Sequence, residues 1–365
     1  MPKPTGFFHD ERTLWHGGGH YVLTIPVGGL VQPGGALPES PETKRRLVNL
    51  MAVTGLLGDL DTRGAAEASR EELLRVHPAR YLDAFKAASD DKGGELGLRT
   101  PFLKGGYEIA ALSAGLATEA LRSVLSGDLA RAYALSRPPG HHCMPDWPNG
   151  FCLMANIAIS IRAAQAEGRA ARFAVVDWDV HHGNGTEAIF LDDPDVLTVS
   201  LHQENSYPLD TGGADVRGAG DANLNIPLPP GCGHATYLEA MERLVVPALR
   251  RHRPDIIIVA CGYDASAVDP LAQMLLGAES YGAMTAMLAD LAGEICGGRL
   301  VLVHEGGYSE LHVPFCGHAA IATLAGSAIA APDPLRDTIR ARQPTARWVN
   351  HVSDWLRELA GARGL

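Results

Sequence analysis

The 365-residue chain contains no Cys-x-x-Cys pair. Its six cysteines, Cys143, Cys152, Cys232, Cys261, Cys296 and Cys316, are scattered, which argues against a thiolate zinc cage or a redox dithiol. A chain of this length buries a large core without disulfide staples, so the thiols read as reduced, mostly buried side chains of a cytosolic protein. No apolar run approaches the roughly 20 residues that span a bilayer. Residues 1–10 lack the apolar stretch and cleavage site of a secretory signal. Positive charge is scarce: 31 Lys and Arg stand against 42 Asp and Glu, a net charge of −11. That balance argues against a binder of nucleic-acid backbones, which needs clustered cations. Disorder is excluded as well, because 46% of residues are hydrophobic and only 20% charged. There is no internal repeat and no low-complexity linker.

What is present is an alternation of two patterns. Short Val- and Ile-rich runs at 132–136, 172–176, 196–201, 223–228, 255–260 and 300–304 read as fully buried strands. Helical periodicity fills the intervals at 107–125, 155–167, 235–250 and 279–295. Strand and helix in alternation predict an α/β fold: one large domain over 1–365, with a mostly parallel open sheet and helices on both faces. Residues 1–41, rich in Gly and Pro, read as an irregular loop segment, followed by a first helix at 42–57. Residues 332–365 read as a helical tail with an amphipathic helix around 347–359.

Ligands of such sheets bind beyond the carboxyl ends of the strands, and the unusual polar residues fall there. They are Arg-Pro-Pro-Gly-His141-His142, Asp177-Trp-Asp179-Val-His181-His182-Gly-Asn184-Gly, Gly262-Tyr-Asp264 through Asp269-Pro, and Glu305-Gly-Gly307-Tyr308. A buried Asp or His can merely satisfy backbone groups, which accounts for one such cluster but poorly for four. Asp177, Asp179 and His181 stand at i, i+2 and i+4, on one face of an extended segment. Two carboxylates and an imidazole so placed call for a divalent cation, with Asp269 able to complete the set. An Asp2His set with open positions suits catalysis; Zn(II), Fe(II) and Mn(II) are all chemically admissible. His141 and His142, presented by a rigid Pro-Pro-Gly turn, suit proton transfer beside a metal-bound water. The Tyr308 phenol suits donation to an oxyanion.

Rival signatures fail on context. Gly183 to Ala188 fits a G-x-G-x-x-A dinucleotide fingerprint, but four ionisable residues separate it from its strand. His16-Gly-Gly-Gly resembles a lipase oxyanion strand, yet no G-x-S-x-G elbow exists. His16 and His20 are separated by three glycines, which cannot hold a helical metal pair. Cys143 beside His142 is too close in sequence for a nucleophilic dyad. A second cluster of Asp ligands, as a two-metal arginase needs, is not evident.

In combination these motifs resemble the histone deacetylase family of the arginase/deacetylase superfamily. The likeness spans about 40–330 and includes Gly-Phe-Cys at 150–152, Ser-Leu-His at 200–202 and Asp-Pro-Leu at 269–271. Asn184 and the Pro-Glu-Thr-Lys-Arg-Arg stretch at 41–46 are most similar to the class II branch and its bacterial histone deacetylase-like amidohydrolases. The resemblance implies one zinc held by Asp179, His181 and Asp269. It implies His141 and His142 as the tandem pair, oriented by Asp177 and Asn184, and Tyr308 polarising the scissile carbonyl. Class I members carry Asp at the Asn184 position, so His142 is expected to be less basic here. Gly150, Phe151, Tyr207, Leu271 and Gly307 would line an acyl-lysine tunnel, with Tyr207 where the family usually has Phe. Potassium is implied at two places: Asp177, Asp179, His181, Ser200 and Leu201 for one, and Phe190, Asp193 and Val196 for the other. The implied substrate is an acylated lysine in a protein or peptide, or a small acylated amine such as an acetylpolyamine. Neither nucleic acid nor membrane is an expected partner. A homo-oligomer through 1–41 is allowed, with no interface legible.

Overall fold

A computed structural model describes residues 3–18, 21–26 and 37–365; His20 lies outside them. Among the described residues eight strands form the main sheet. In chain order they are β1 (Thr5–Phe8), β2 (Leu60–Arg63), β3 (Arg131–Ala134), β4 (Phe173–Asp177), β5 (Val196–Gln203), β6 (Asn223–Leu228), β7 (Ile256–Cys261) and β8 (Leu300–His304). Their spatial order is β6-β5-β4-β7-β8-β3-β1-β2, and every neighbouring pair is parallel. All carboxyl ends therefore lie along one edge.

Period-two alternation distributes each strand between two cores. On β8, Leu300 and Leu302 face a core shared with the helices Ala278–Ile295 and Val313–Ala325. Val301 and Val303 face the opposite core, with the helices Gly106–Leu125 and Asn156–Ala166. Both faces are covered, which is why these strands read as continuous apolar runs.

The predicted strands and helices appear within a few residues of their expected ends. The helix Pro41–Thr54 starts with the Ser40 hydroxyl accepting from the Glu42 N–H and stops at Gly55, whose φ of 87° is the left-handed cap glycine tolerates. The 235–250 stretch carries a wide turn at Met241–Val245, immediately before Val246–His252, whose Pro247 lacks a backbone donor. Residues 1–41 are not all irregular, because β1 lies between β3 and β2 in the sheet. β1 and β2 have four residues each and take their order from pairing, not from a local pattern. The tail contains the helices Arg336–Ala341 and Ala346–Arg363. Buried Arg363 donates to the carbonyls of Ala214 at 2.7 Å and Val216 at 2.6 Å, tying the last helix to the loop that follows β5. No helix of the described residues is long and apolar enough to cross a membrane.

Candidate active site

The four polar motifs follow β3, β4, β7 and β8, which are consecutive in the order β4-β7-β8-β3. Sheet topology thus gathers residues up to 171 positions apart, as where Tyr133 Oη meets His304 Nδ1 at 2.6 Å beneath the site.

Asp177 closes β4, and the chain then turns so that Asp179 and His181 fold inward. Asp179 Oδ2 accepts from the Gly306 N–H at 2.8 Å, which joins the β4 and β8 ends. Its Oδ1 accepts from the His181 N–H at 2.9 Å. His181 Nδ1 lies 3.2 Å from Asp179 Oδ1 and 3.0 Å from Asp264 Oδ2. Among the described residues, Asp179, His181 and Asp264 are one of two groups whose ligand atoms all lie within 4.8 Å of one another. Asp269 belongs to neither group; its carboxylate accepts from the N–H of Tyr308 at 2.8 Å and of Leu271 at 2.9 Å. Asp264 was legible in the Gly-Tyr-Asp-Ala motif, but nothing local to it signalled this position.

The second group is His141, Cys152 and Glu305. Glu305 Oε2 accepts from the N–H groups of Gly140 at 2.6 Å and His141 at 3.1 Å, so it fixes the turn presenting the tandem histidines. Cys152 Sγ lies 3.3 Å from the Gly150 carbonyl oxygen, and burial pushes its thiol well above the ordinary range. Cys143 faces the Met144 and Trp147 carbonyls and is likewise raised by burial, which leaves no thiolate nucleophile beside His142.

The donor set fits a divalent cation. Asp179 and Asp264 are fully buried and Asp269 is 8% exposed. Among the described residues no Lys or Arg lies within ion-pair distance of them. Carboxylates so enclosed need a compensating positive charge or protons. Burial, with the Asp264 charge beside it, pushes Asp269 up to about 8. Burial, with Asp179, pushes Asp264 up to about 6. For His181 burial opposes the cation, but Asp179 and Asp264 prevail and raise it to about 10. A bound cation would displace these protons.

The two tandem histidines are set apart by their partners. His141 Nδ1 is 3.0 Å from Asp177 Oδ2. Burial disfavours its charge, yet the Asp179 and Asp177 carboxylates hold it well above the ordinary histidine value. His142 Nδ1 is 2.9 Å from Asn184 Oδ1, a neutral partner. Burial and the charges of the neighbouring His141 and His181 hold His142 well below the ordinary value, outweighing Asp179 and the Asn184 hydrogen bond, which both act to raise it.

His142, His181 and Tyr308 open into a pocket of about 170 Å³ whose wall includes Gly150, Phe151, Tyr207 and Leu271. Gly150 has φ 50°, and a Cβ there would lie 2.6 Å from His142 Cδ2 and 2.8 Å from Tyr207 Cε1. Only glycine allows both rings to stand so close. Phe151 meets Tyr308 edge to face at 5.7 Å. The hydroxyl that distinguishes Tyr207 from Phe donates to Asn149 Oδ1, so it does not point unpaired into the pocket. Gly307, expected with the tunnel, is not part of this lining; with φ 121° it packs against Tyr263 behind Tyr308. Ser200 is paired with Asp177 across β5 and β4, while Leu201 is a core residue. Phe190, Asp193 and Val196 form a separate turn, in which Asp193 N–H donates to Phe190 O at 2.9 Å and Val196 N–H to Asp193 O at 3.2 Å.

A buried carboxylate and imidazole cluster, reached through His181 from a pocket that His142 and the Tyr308 phenol also line, fits a metal-dependent hydrolase. Comparison with known proteins agrees. Residues 37–324 match the histone deacetylase domain family. A histone deacetylase-like amidohydrolase of Pseudomonas aeruginosa is 56% identical over 371 residues, covering 100% of this chain and 97% of that protein. Histone deacetylase 8 of Arabidopsis thaliana is 36% identical over 296 residues, covering 78% of each chain. The crystal structure of the HDA15 HD domain superposes with a TM-score of 0.81 at 32% identity, covering 98% of this chain and 96% of that one. The chain belongs to the histone deacetylase family.

Proposed function

We propose that the protein is a single-domain, zinc-dependent amidohydrolase over 1–365 that removes acetyl or other short acyl groups from Nε-acyl-lysine side chains. The observation that carries this reading is the pocket itself. Phe151, Tyr207 and Leu271 form its apolar wall, Thr24, Arg99 and Ser206 its polar side, and His142, Tyr308 and His181 complete the lining. A neutral, linear acylamine suits such a pocket.

The ligand set proposed for the zinc is Asp179, His181 and Asp269, with Asp264 accepting from the Val180 N–H beside them. Zinc bound there would polarise the acyl carbonyl and acidify a water molecule. His142 keeps its Nδ1 proton on Asn184, which leaves Nε2 as the acceptor for the proton of the attacking water. Cationic His141, held on Asp177, stabilises the negative charge that develops nearby. The Tyr308 hydroxyl donates to the oxyanion. The imidazolium of His142 then returns the proton to the departing lysine amine. Potassium ions at the Asp177–Ser200 and Phe190–Val196 positions would be structural, and a homo-oligomer would use the 1–41 segment.

The acetylpolyamine alternative shares this chemistry but brings free ammonium groups. Among the described residues no Asp or Glu lines the pocket wall, and Arg99 does, which favours the neutral acyl-lysine chain. Steady-state turnover of an acetyl-lysine peptide against N-acetylputrescine tests the choice. The peptide should be hydrolysed with the higher kcat/KM; preference for acetylputrescine would reverse it.

A further inference from the structure

Arg99 has no role in the chemistry above, yet its position is tightly determined. It lies in the loop of the hairpin Gly93–Glu95 and Pro101–Leu103. Its carbonyl accepts from the Phe151 N–H at 3.0 Å, and the preceding Leu98 carbonyl accepts from the Gly150 N–H at 2.9 Å. The loop is thereby clamped to the wall of the pocket. Arg99 has φ 59° and Phe151 φ 67°, both in the left-handed region that non-glycine residues rarely enter. Two adjoining strained residues that fix each other mark a place where side-chain direction matters.

The Arg99 guanidinium lies over the Tyr207 ring, 5.1 Å from its centroid. Arg99 lines the pocket and also a neighbouring one of about 140 Å³ on the Phe151 side. Among the described residues no carboxylate lies within 4.0 Å of it. The nearby Glu95 is taken by the Tyr21 hydroxyl at 2.6 Å and the Thr100 N–H at 2.9 Å. A partly exposed cation is thus held at the pocket wall of a protein with net charge −11.

We propose that Arg99 is a specificity-determining residue, selecting acyl-lysine substrates that carry a carboxylate at the mouth end of the tunnel. The inference rests on the acyl-lysine reading above. The carboxylate could be the side chain of a flanking acidic residue or the α-carboxylate of a chain ending in acyl-lysine. The overall acidity would by itself favour basic flanks, so the local cation predicts the opposite preference.

Two pairs of acetyl-lysine peptides test it: one with flanking Glu or Gln, one ending in acetyl-lysine as free acid or carboxamide. Each ratio of kcat/KM, acid over neutral twin, is measured for wild type and for Arg99→Asn and Arg99→Asp. Both substitutions tolerate the left-handed backbone. Wild type should favour the acid in at least one pair by about three- to fivefold, the scale of a partly exposed ion pair. The pair that shows the preference identifies the source of the carboxylate. The ratio should fall to about one in Arg99→Asn and below one in Arg99→Asp, and should shrink with added salt in wild type. Wild-type ratios of one in both pairs, or a preference that survives in Arg99→Asn, would overturn the proposal. Hydrolysis of neither peptide pair would instead refute the acyl-lysine reading, and this inference with it.

Discussion

Tyr308→Phe isolates one atom. The tyrosine is 8% exposed, its ring is braced edge to face by Phe151 at 5.7 Å, and its N–H is fixed on Asp269 at 2.8 Å. None of these contacts uses the phenol oxygen, so the phenylalanine variant should keep the ring, the backbone and the carboxylate cluster in place. Burial, together with the Asp264 and Asp179 charges, holds the phenol well above its ordinary range, so it remains a proton donor throughout neutral pH. A single donor aimed at an oxyanion contributes on the order of 10²–10³ in kcat, about 3–4 kcal/mol of barrier. The assay is acetate release from an acetyl-lysine peptide, with bound zinc and melting temperature measured on the same preparation. We expect kcat to fall by that factor, with metal content and melting temperature close to wild type. Turnover within about threefold of wild type by a metal-loaded variant would refute the donor role.

The remaining predictions concern the metal and the fold. On the proposed ligand set Asp269 binds the zinc, whereas Asp264 serves the Val180 N–H at 2.8 Å, so Asp269→Asn should weaken zinc affinity more than Asp264→Asn; zinc titration of the two variants decides between them. Glu39→Gln should cost about 3–5 kcal/mol in urea denaturation, since it leaves Arg137 and Lys44 buried without their shared anion. The same carboxylate predicts a pH dependence. Burial opposes its charge, but Arg137 and Lys44 outweigh this and hold Glu39 well below the usual carboxylate range. Its contribution is therefore present above the unfolded glutamate value of about 4.3 and lost as pH falls below it toward the native value. Wild type should lose stability over that acid interval faster than Glu39→Gln.

Much of this architecture could be read from the chain, for physical reasons. β4, β7 and β8 are buried on both faces, and burial leaves continuous apolar runs, while β6 at the sheet edge alternates Asn with apolar residues; both patterns are visible to periodicity. β1 and β2 leave no such trace, because β2 is half exposed and β1, Thr-Gly-Phe-Phe, holds only two apolar side chains and no Val or Ile. The ionisable motifs were legible because strand ends of a parallel sheet share one edge, so local clusters predict a joint site. What escaped was through-space pairing: Glu305 on Gly140 across 165 positions, Asp264 on Val180 across 84 and Tyr207 on Asn149 across 58. Arg99 escaped for a further reason. Its place is set by a loop clamped to another loop, and no spacing rule in the sequence encodes that clamp.

In the proposed function, zinc on the buried carboxylate–imidazole cluster drives hydrolysis of an acyl-lysine amide. The most direct measurement is zinc titration of metal-free protein, following acetate release from an acetyl-lysine peptide and from N-acetylputrescine. We expect no turnover without metal, activity that saturates at one zinc per chain, and a higher kcat/KM for the peptide. Undiminished hydrolysis by the metal-free protein, or no hydrolysis of the peptide once zinc is bound, would contradict it.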